Sequence, residues 1–177
     1  RLSPKTITTI NEIGTIIGAN GDDIPDNYWN LSGAMYAYIF LELTKIGIDV
    51  AGESQLVGYP SQFPDVSMMD WKNGKPNARY WILKMIKDNF KPGDKLVETS
   101  VSGGNIMVQA FITSKGKRIL FINPRNKEVK IKLPADAKDA TINYVDAGTG
   151  ESPYTSEKLN DTEIILKPFS VSVVELN

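Results

Sequence analysis

The sequence contains neither histidine nor cysteine. Their absence excludes a Ser-His-Asp triad, a cysteine nucleophile, a zinc finger and a disulfide within the chain. Any acid-base chemistry therefore rests on carboxylates, lysine or tyrosine. An excess of one charge is missing too. Twenty basic side chains stand against twenty-one acidic ones, for a formal net charge of -1 and a pI near 5.6. Nothing there attracts a phosphate backbone or an anionic bilayer, so neither nucleic acid nor membrane is expected as a partner. No stretch approaches the roughly 20 consecutive apolar residues of a membrane span, and residues 1–9 lack the apolar run of a signal peptide. The absence of cysteine is compatible with cytoplasm, periplasm or a bacterial exterior.

What is present is ordinary for a globular chain: 177 residues, 41% hydrophobic and 23% charged, enough for one domain or two small ones. The first half reads as two strand-helix units. Residues 6–12 are rich in β-branched side chains and run to Glu12 ahead of Gly14, which suits a strand. After a loop rich in Gly, Asn and Asp, Asp26 or Asn27 is placed to cap a helix. Its apolar positions are Leu31, Met35, Ile39, Leu43 and Ile46, and Gly47 is placed to stop it. Residues 48–52 give a second short strand. Pro76 suits the first turn of a second helix with Ala78, Ile82, Met85 and Ile86 on one stripe.

The second half changes period. Seven short strand candidates, at residues 96–101, 106–113, 118–123, 129–133, 140–145, 163–167 and 169–176, read as an antiparallel β-sandwich. Pro92-Gly93 marks the boundary, so residues 1–92 form an α/β portion and residues 93–177 an all-β one. Two parallel strands do not make a domain by themselves. The first half is accordingly expected to close a larger α/β domain, and in a barrel of eight units it would supply the last two.

Catalytic groups in such barrels stand at the carboxyl ends of strands, where the two predicted strands carry Glu12 and Glu53. Trp29, Tyr59 and Trp71 lie in or near the loops of the same rim, and their flat amphipathic rings suit stacking on sugar faces. A neighbour that hydrogen-bonds Glu12 would keep it ionised and aimed, and Glu53, Gln55 or Tyr59 on the adjacent strand and loop is placed to do so.

These residues carry a resemblance. The segment Thr8-Thr9-Ile10-Asn11-Glu12-Ile13-Gly14, the following helix and short strand, and the stretch from Met69 to Trp81 resemble the end of a clan A glycoside hydrolase barrel. Residues 118–124 and 167–174 are similar to strands of the β-domain that often follows such barrels. Within the clan, residues 52–60 with residues 75–81 look most like family 86, the β-agarases and β-porphyranases. An Asn-Glu pair marks the acid/base of this clan at the fourth strand, whereas the nucleophile Glu ends the seventh, so by motif Asn11-Glu12 fits either. The sandwich follows the helix of residues 76–90, which makes that helix the eighth and residues 6–12 the seventh strand. Glu12 then corresponds to the nucleophile, and the acid/base Glu lies outside this chain.

The resemblance implies a fragment of a retaining endo-glycosidase acting on a galactan such as agarose or porphyran. Asn11, Trp29, Glu53, Gln55, Tyr59 and Trp71 would touch substrate, and no cofactor or metal would be needed. It also implies a secreted, periplasmic or surface location, and as partners a polysaccharide and the remainder of the same barrel. The chain alone is expected to be inactive. Similarity to families 39 and 51 would instead imply xylan or arabinan. A third reading makes the chain a non-catalytic carbohydrate-binding or structural module. The sequence lacks the Trp that several related families place at the end of the eighth strand.

Overall fold

The computed structural model describes residues 3, 5–16, 24–25, 27–57, 64–103 and 105–176. The chain opens with two parallel strands, β1 (Thr9–Ile13) and β2 (Val50–Glu53), joined through helix α1 (Tyr28–Ile46). They pair Thr9 with Val50, Ile10 with Ala51 and, after an irregularity, Ile13 with Glu53. Gly52 is required at this seam, because a Cβ there would lie 2.4 Å from the Asn11 carbonyl oxygen.

Helix α1 ends where glycine permits it. Gly47 takes φ 76°, and the Ile48 amide donates to the Leu43 carbonyl at 3.0 Å. At the other end Asn27 occupies the cap position without a side-chain bond, while Asp26 lies outside the described residues. The face that α1 buries is not the stripe its hydrophobicity predicts. Met35 and Ile46 are exposed, whereas Gly33, Ala34, Ala37 and Leu41 are in the core. Close helix packing is the reason: a Cβ on Gly33 would meet Ile82 Cδ1 at 2.4 Å and the Arg79 Cα at 3.2 Å. Small residues let the helices approach, yet they contribute little to a hydropathy pattern.

Helix α2 (Ala78–Asn89) starts two residues later than a first turn led by Pro76 would have it. Asn77 is its cap, accepting from the Tyr80 amide at 3.3 Å and donating its side-chain N–H to the Ser67 carbonyl at 2.8 Å. Pro76 sits before the cap, in a bridge with Met69. Ala78, Ile82, Met85 and Ile86 are all buried, as their spacing predicts.

Among the described residues eight strands follow: β3 (Lys95–Val97), β4 (Met107–Thr113), β5 (Gly116–Asn123), β6 (Val129–Lys132), β7 (Thr141–Val145), β8 (Thr155–Lys158), β9 (Glu163–Leu166) and β10 (Ser170–Glu175). Six form an antiparallel sheet in the order β3-β4-β5-β10-β7-β8, and β6 pairs with β9 separately. The sequence pattern misses β8, because Thr-Ser-Glu-Lys is a polar edge strand with no buried side chain.

The large sheet is covered on both faces. Ile119, Phe121, Ile142 and Val174 pack with Val129, Ile131, Ile164 and Leu166 of the small sheet. Leu120, Ile122, Phe111, Val145, Val171 and Val173 share a core with Ala34, Ala37 and Leu41 of α1 and with Ile82, Met85 and Phe90. This double covering accounts for the unbroken apolar run Ile119-Leu120-Phe121-Ile122, since alternation is needed only where one face meets water. The described residues thus comprise two βα units and an antiparallel sandwich, joined through the core that the two helices share with one face of the large sheet.

Candidate active site

Because side chains alternate along a strand, the ends of β1 and β2 present chemistry on two sides. On one side Glu12 is exposed, and its Oε1 accepts a 2.8 Å hydrogen bond from the Ser54 hydroxyl. Ser54 is itself held by its amide, which donates to the Ile13 carbonyl at 3.0 Å. The Ser54 bond fixes one carboxylate oxygen of Glu12 and leaves the other for an incoming electrophile or proton.

On the helix side, Glu53 points away from Glu12 and toward Arg79, whose Nε lies 3.7 Å from Glu53 Oε1. Arg79 is fully buried. Its guanidinium carbon lies 5.3 Å from the Trp29 ring centroid and 5.1 Å from that of Tyr36, within range of cation–π attraction to both. Its Nη1 donates to the Ser32 hydroxyl at 3.3 Å and the Thr15 hydroxyl at 3.4 Å. The Tyr36 hydroxyl donates to the Ile13 carbonyl at 2.8 Å, and the Tyr28 hydroxyl lies 3.0 Å from the Thr15 carbonyl oxygen.

Burial dominates the electrostatics of this cluster. It raises the Glu53 carboxyl above the usual glutamate range, against the opposing pull of the Tyr36 hydroxyl and the Arg79 charge. It lowers Arg79, with Tyr36 and Glu53 acting the other way. The Tyr36 phenol is pushed well above its ordinary value, again chiefly by burial.

The structure redistributes the residues singled out from sequence. Glu12 stands at a strand end as expected, but its hydrogen-bond partner is Ser54. Glu53 turns to the opposite face, Gln55 is exposed in a left-handed conformation at φ 54°, and Tyr59 lies outside the described residues. Asn11 is exposed and accepts from the Thr9 hydroxyl at 3.1 Å. Trp29 is half-buried, with its ring against Arg79 and edge-to-face with Tyr28 at 5.0 Å. Trp71 is 49% exposed at a turn where Asp70 Oδ1 accepts from the Lys72 and Asn73 amides.

Sequence reasoning missed Ser54, Tyr36 and Arg79. A signal existed for Arg79: it stands three residues before Ile82 and seven before Ile86, on a stripe that is otherwise apolar. Among the described residues no group of three or more acidic or other metal-ligating side chains is placed to hold a metal ion. None of their helices is long and apolar enough to cross a membrane.

No protein-family model matches the sequence, and no curated protein matches it either. Solved structures do. The catalytic domain of a glycoside hydrolase family 30 xylanase C from Talaromyces cellulolyticus superposes with a TM-score of 0.71 at 16% identity, covering 98% of this chain and 41% of that one. A family 86 β-porphyranase from Bacteroides plebeius gives 0.65 at 17% identity, over 97% of this chain and 35% of that one. An arabinose-bound family 51 α-L-arabinofuranosidase gives 0.62 at 15%, over 94% and 32%. This chain has the fold of a part of these glycoside hydrolase chains, and it spans about two fifths of their length or less.

Proposed function

We propose that these residues are the C-terminal part of the catalytic region of a retaining, endo-acting glycoside hydrolase of clan A, with β1 and β2 as the seventh and eighth strands of its barrel and Glu12 as nucleophile. The observation that carries this reading is the Glu12–Ser54 pair at the carboxyl ends of two parallel strands, in a fold shared with glycosidases along nearly the whole chain. A retaining mechanism asks this segment for one carboxylate. Glu12 attacks the anomeric carbon while a second carboxylic acid, about 5 to 5.5 Å away, protonates the departing oxygen, and water then releases the sugar from Glu12. That acid comes from the rest of the barrel, which also covers β1 and the exposed Met35 and Ile46 of α1. Residues 1–92 belong to the barrel, and residues 93–177 brace it as an accessory sandwich.

The substrate we favour is a galactan of the agarose or porphyran type, met outside the cell, on the likeness of residues 52–60 and 75–81 to family 86. Xylan or arabinan is the second reading, and the similarity to a xylanase and an arabinofuranosidase supports it equally.

The test is covalent labelling of the full-length protein by mechanism-based fluorinated sugars of the galactose, xylose and arabinose series, followed by peptide mapping. Label on Glu12 is expected, and the sugar that labels fastest identifies the substrate class. Label on Glu53, or on no residue of this chain, refutes the assignment.

A further inference from the structure

Glu53 and Arg79 present a puzzle that stability alone does not answer. Among the described residues, the buried atoms Glu53 Oε1 and Oε2 and Arg79 Nε and Nη2 have no hydrogen-bond partner, only the 3.7 Å ion pair between them. A buried ion pair of this kind is often no better for stability than apolar residues of the same volume. Its location supplies a reason for it. Glu53 immediately precedes Ser54, the residue that holds Glu12. Ile13 immediately follows Glu12, and its carbonyl accepts from both Tyr36 and the Ser54 amide. The two helices therefore reach the strands at the two backbone positions flanking the Glu12–Ser54 bond: α1 through Tyr36 at Ile13, and α2 through Arg79 at Glu53.

We propose that Arg79 is a positioning residue for the Glu12 carboxylate: clamped between Trp29 and Tyr36 and paired with Glu53, it fixes the end of β2 so that the Ser54 hydroxyl meets Glu12. The role rests on the reading of Glu12 as nucleophile, but the physical coupling does not. Arginine suits the task because its planar cation lies against two ring faces at once and projects its N–H groups at fixed angles, which a lysine ammonium does not reproduce.

The coupling is tested by NMR on the full-length protein with 13C-labelled glutamate, comparing the unmutated protein with Arg79→Met, Glu53→Gln and a core control, Leu166→Ala. Leu166 is buried in the far half of the sandwich, so its truncation destabilises the fold without touching the strand ends. The Glu12 carboxyl and Ser54 amide signals are expected to move in Arg79→Met and Glu53→Gln and to stay in place in Leu166→Ala. The Glu53 midpoint is expected to rise further in Arg79→Met, because the opposite charge that holds it down is lost. Unmoved Glu12 and Ser54 signals in a folded Arg79→Met protein, or equal movement in the control, overturn the proposal. If Arg79→Met does not fold, Glu53→Gln decides between the same two outcomes. Failure of the glycosidase reading shows separately, as absence of sugar label on Glu12 in the unmutated protein while the coupling of signals persists.

Discussion

The Ser54 hydroxyl donates to Glu12 Oε1 across 2.8 Å, although the two residues stand 42 positions apart in the chain. The bond spans the seam between β1 and β2, so it exists only when the parallel pair is in register.

Ser54→Ala removes that donor and leaves both strands intact. On the reading of Glu12 as the nucleophile of a glycosidase, kcat of the full-length protein is expected to fall about 10- to 100-fold, the equivalent of about 1.4 to 2.8 kcal/mol of barrier, with KM little changed. Steady-state kinetics checks this, and a purely KM effect would assign Ser54 to substrate binding.

Glu12→Gln keeps the size of the side chain and removes the charge that the proposed nucleophile needs. Turnover is expected to drop by several powers of ten while substrate affinity survives. Calorimetric binding beside a turnover assay separates the two quantities.

Glu53 makes a pH prediction whose sign follows from the direction of its shift. Its folded carboxyl sits above the ordinary glutamate range, so the folded state holds the proton more tightly than the unfolded one. That contribution to stability is fully present below the unfolded value and is lost as pH rises through the folded one. The groups facing it are Arg79 and Tyr36, with Tyr28 and Asp65 acting on Arg79. Chemical denaturation as a function of pH is expected to show a falling segment that begins in the usual glutamate range. Glu53→Gln is expected to flatten it, and an unchanged profile in that variant would contradict the shift.

Gly33 and Ile82 form the contact that lets α1 and α2 approach. Gly33→Ala is expected to destabilise the protein by about 1 to 3 kcal/mol through overpacking, even though alanine is the better helix former. Ile82→Val removes the Cδ1 atom that an added Cβ would strike, so in that background the cost of Gly33→Ala is expected to shrink. A double-mutant cycle by thermal denaturation measures the difference.

Much of the architecture follows from the sequence taken alone. The switch from helical to alternating period near Pro92, the stop of α1 at Gly47, the buried stripe of α2 and most strands of the sandwich rest on local chemistry: a left-handed glycine, apolar side chains at a regular spacing, β-branched runs between turns. Glu12 was legible for the same reason, since a carboxylate at the end of a β-branched run needs no partner to be noticed. What only the tertiary structure decided concerns contacts between segments. The buried face of α1 is a strip of small residues, because the approach of Ile82 and Arg79 matters there more than hydropathy. Glu53, the last residue of β2, and Ser54, which follows it, turn to opposite sides, so the register of β2 on β1 gives Ser54 to Glu12 and turns Glu53 to Arg79. Arg79 stands 26 positions beyond Glu53, and its place between Trp29 and Tyr36 depends on both helices packing against both strands. Periodicity describes each element against an unspecified core, whereas these roles depend on which element the core turns out to be.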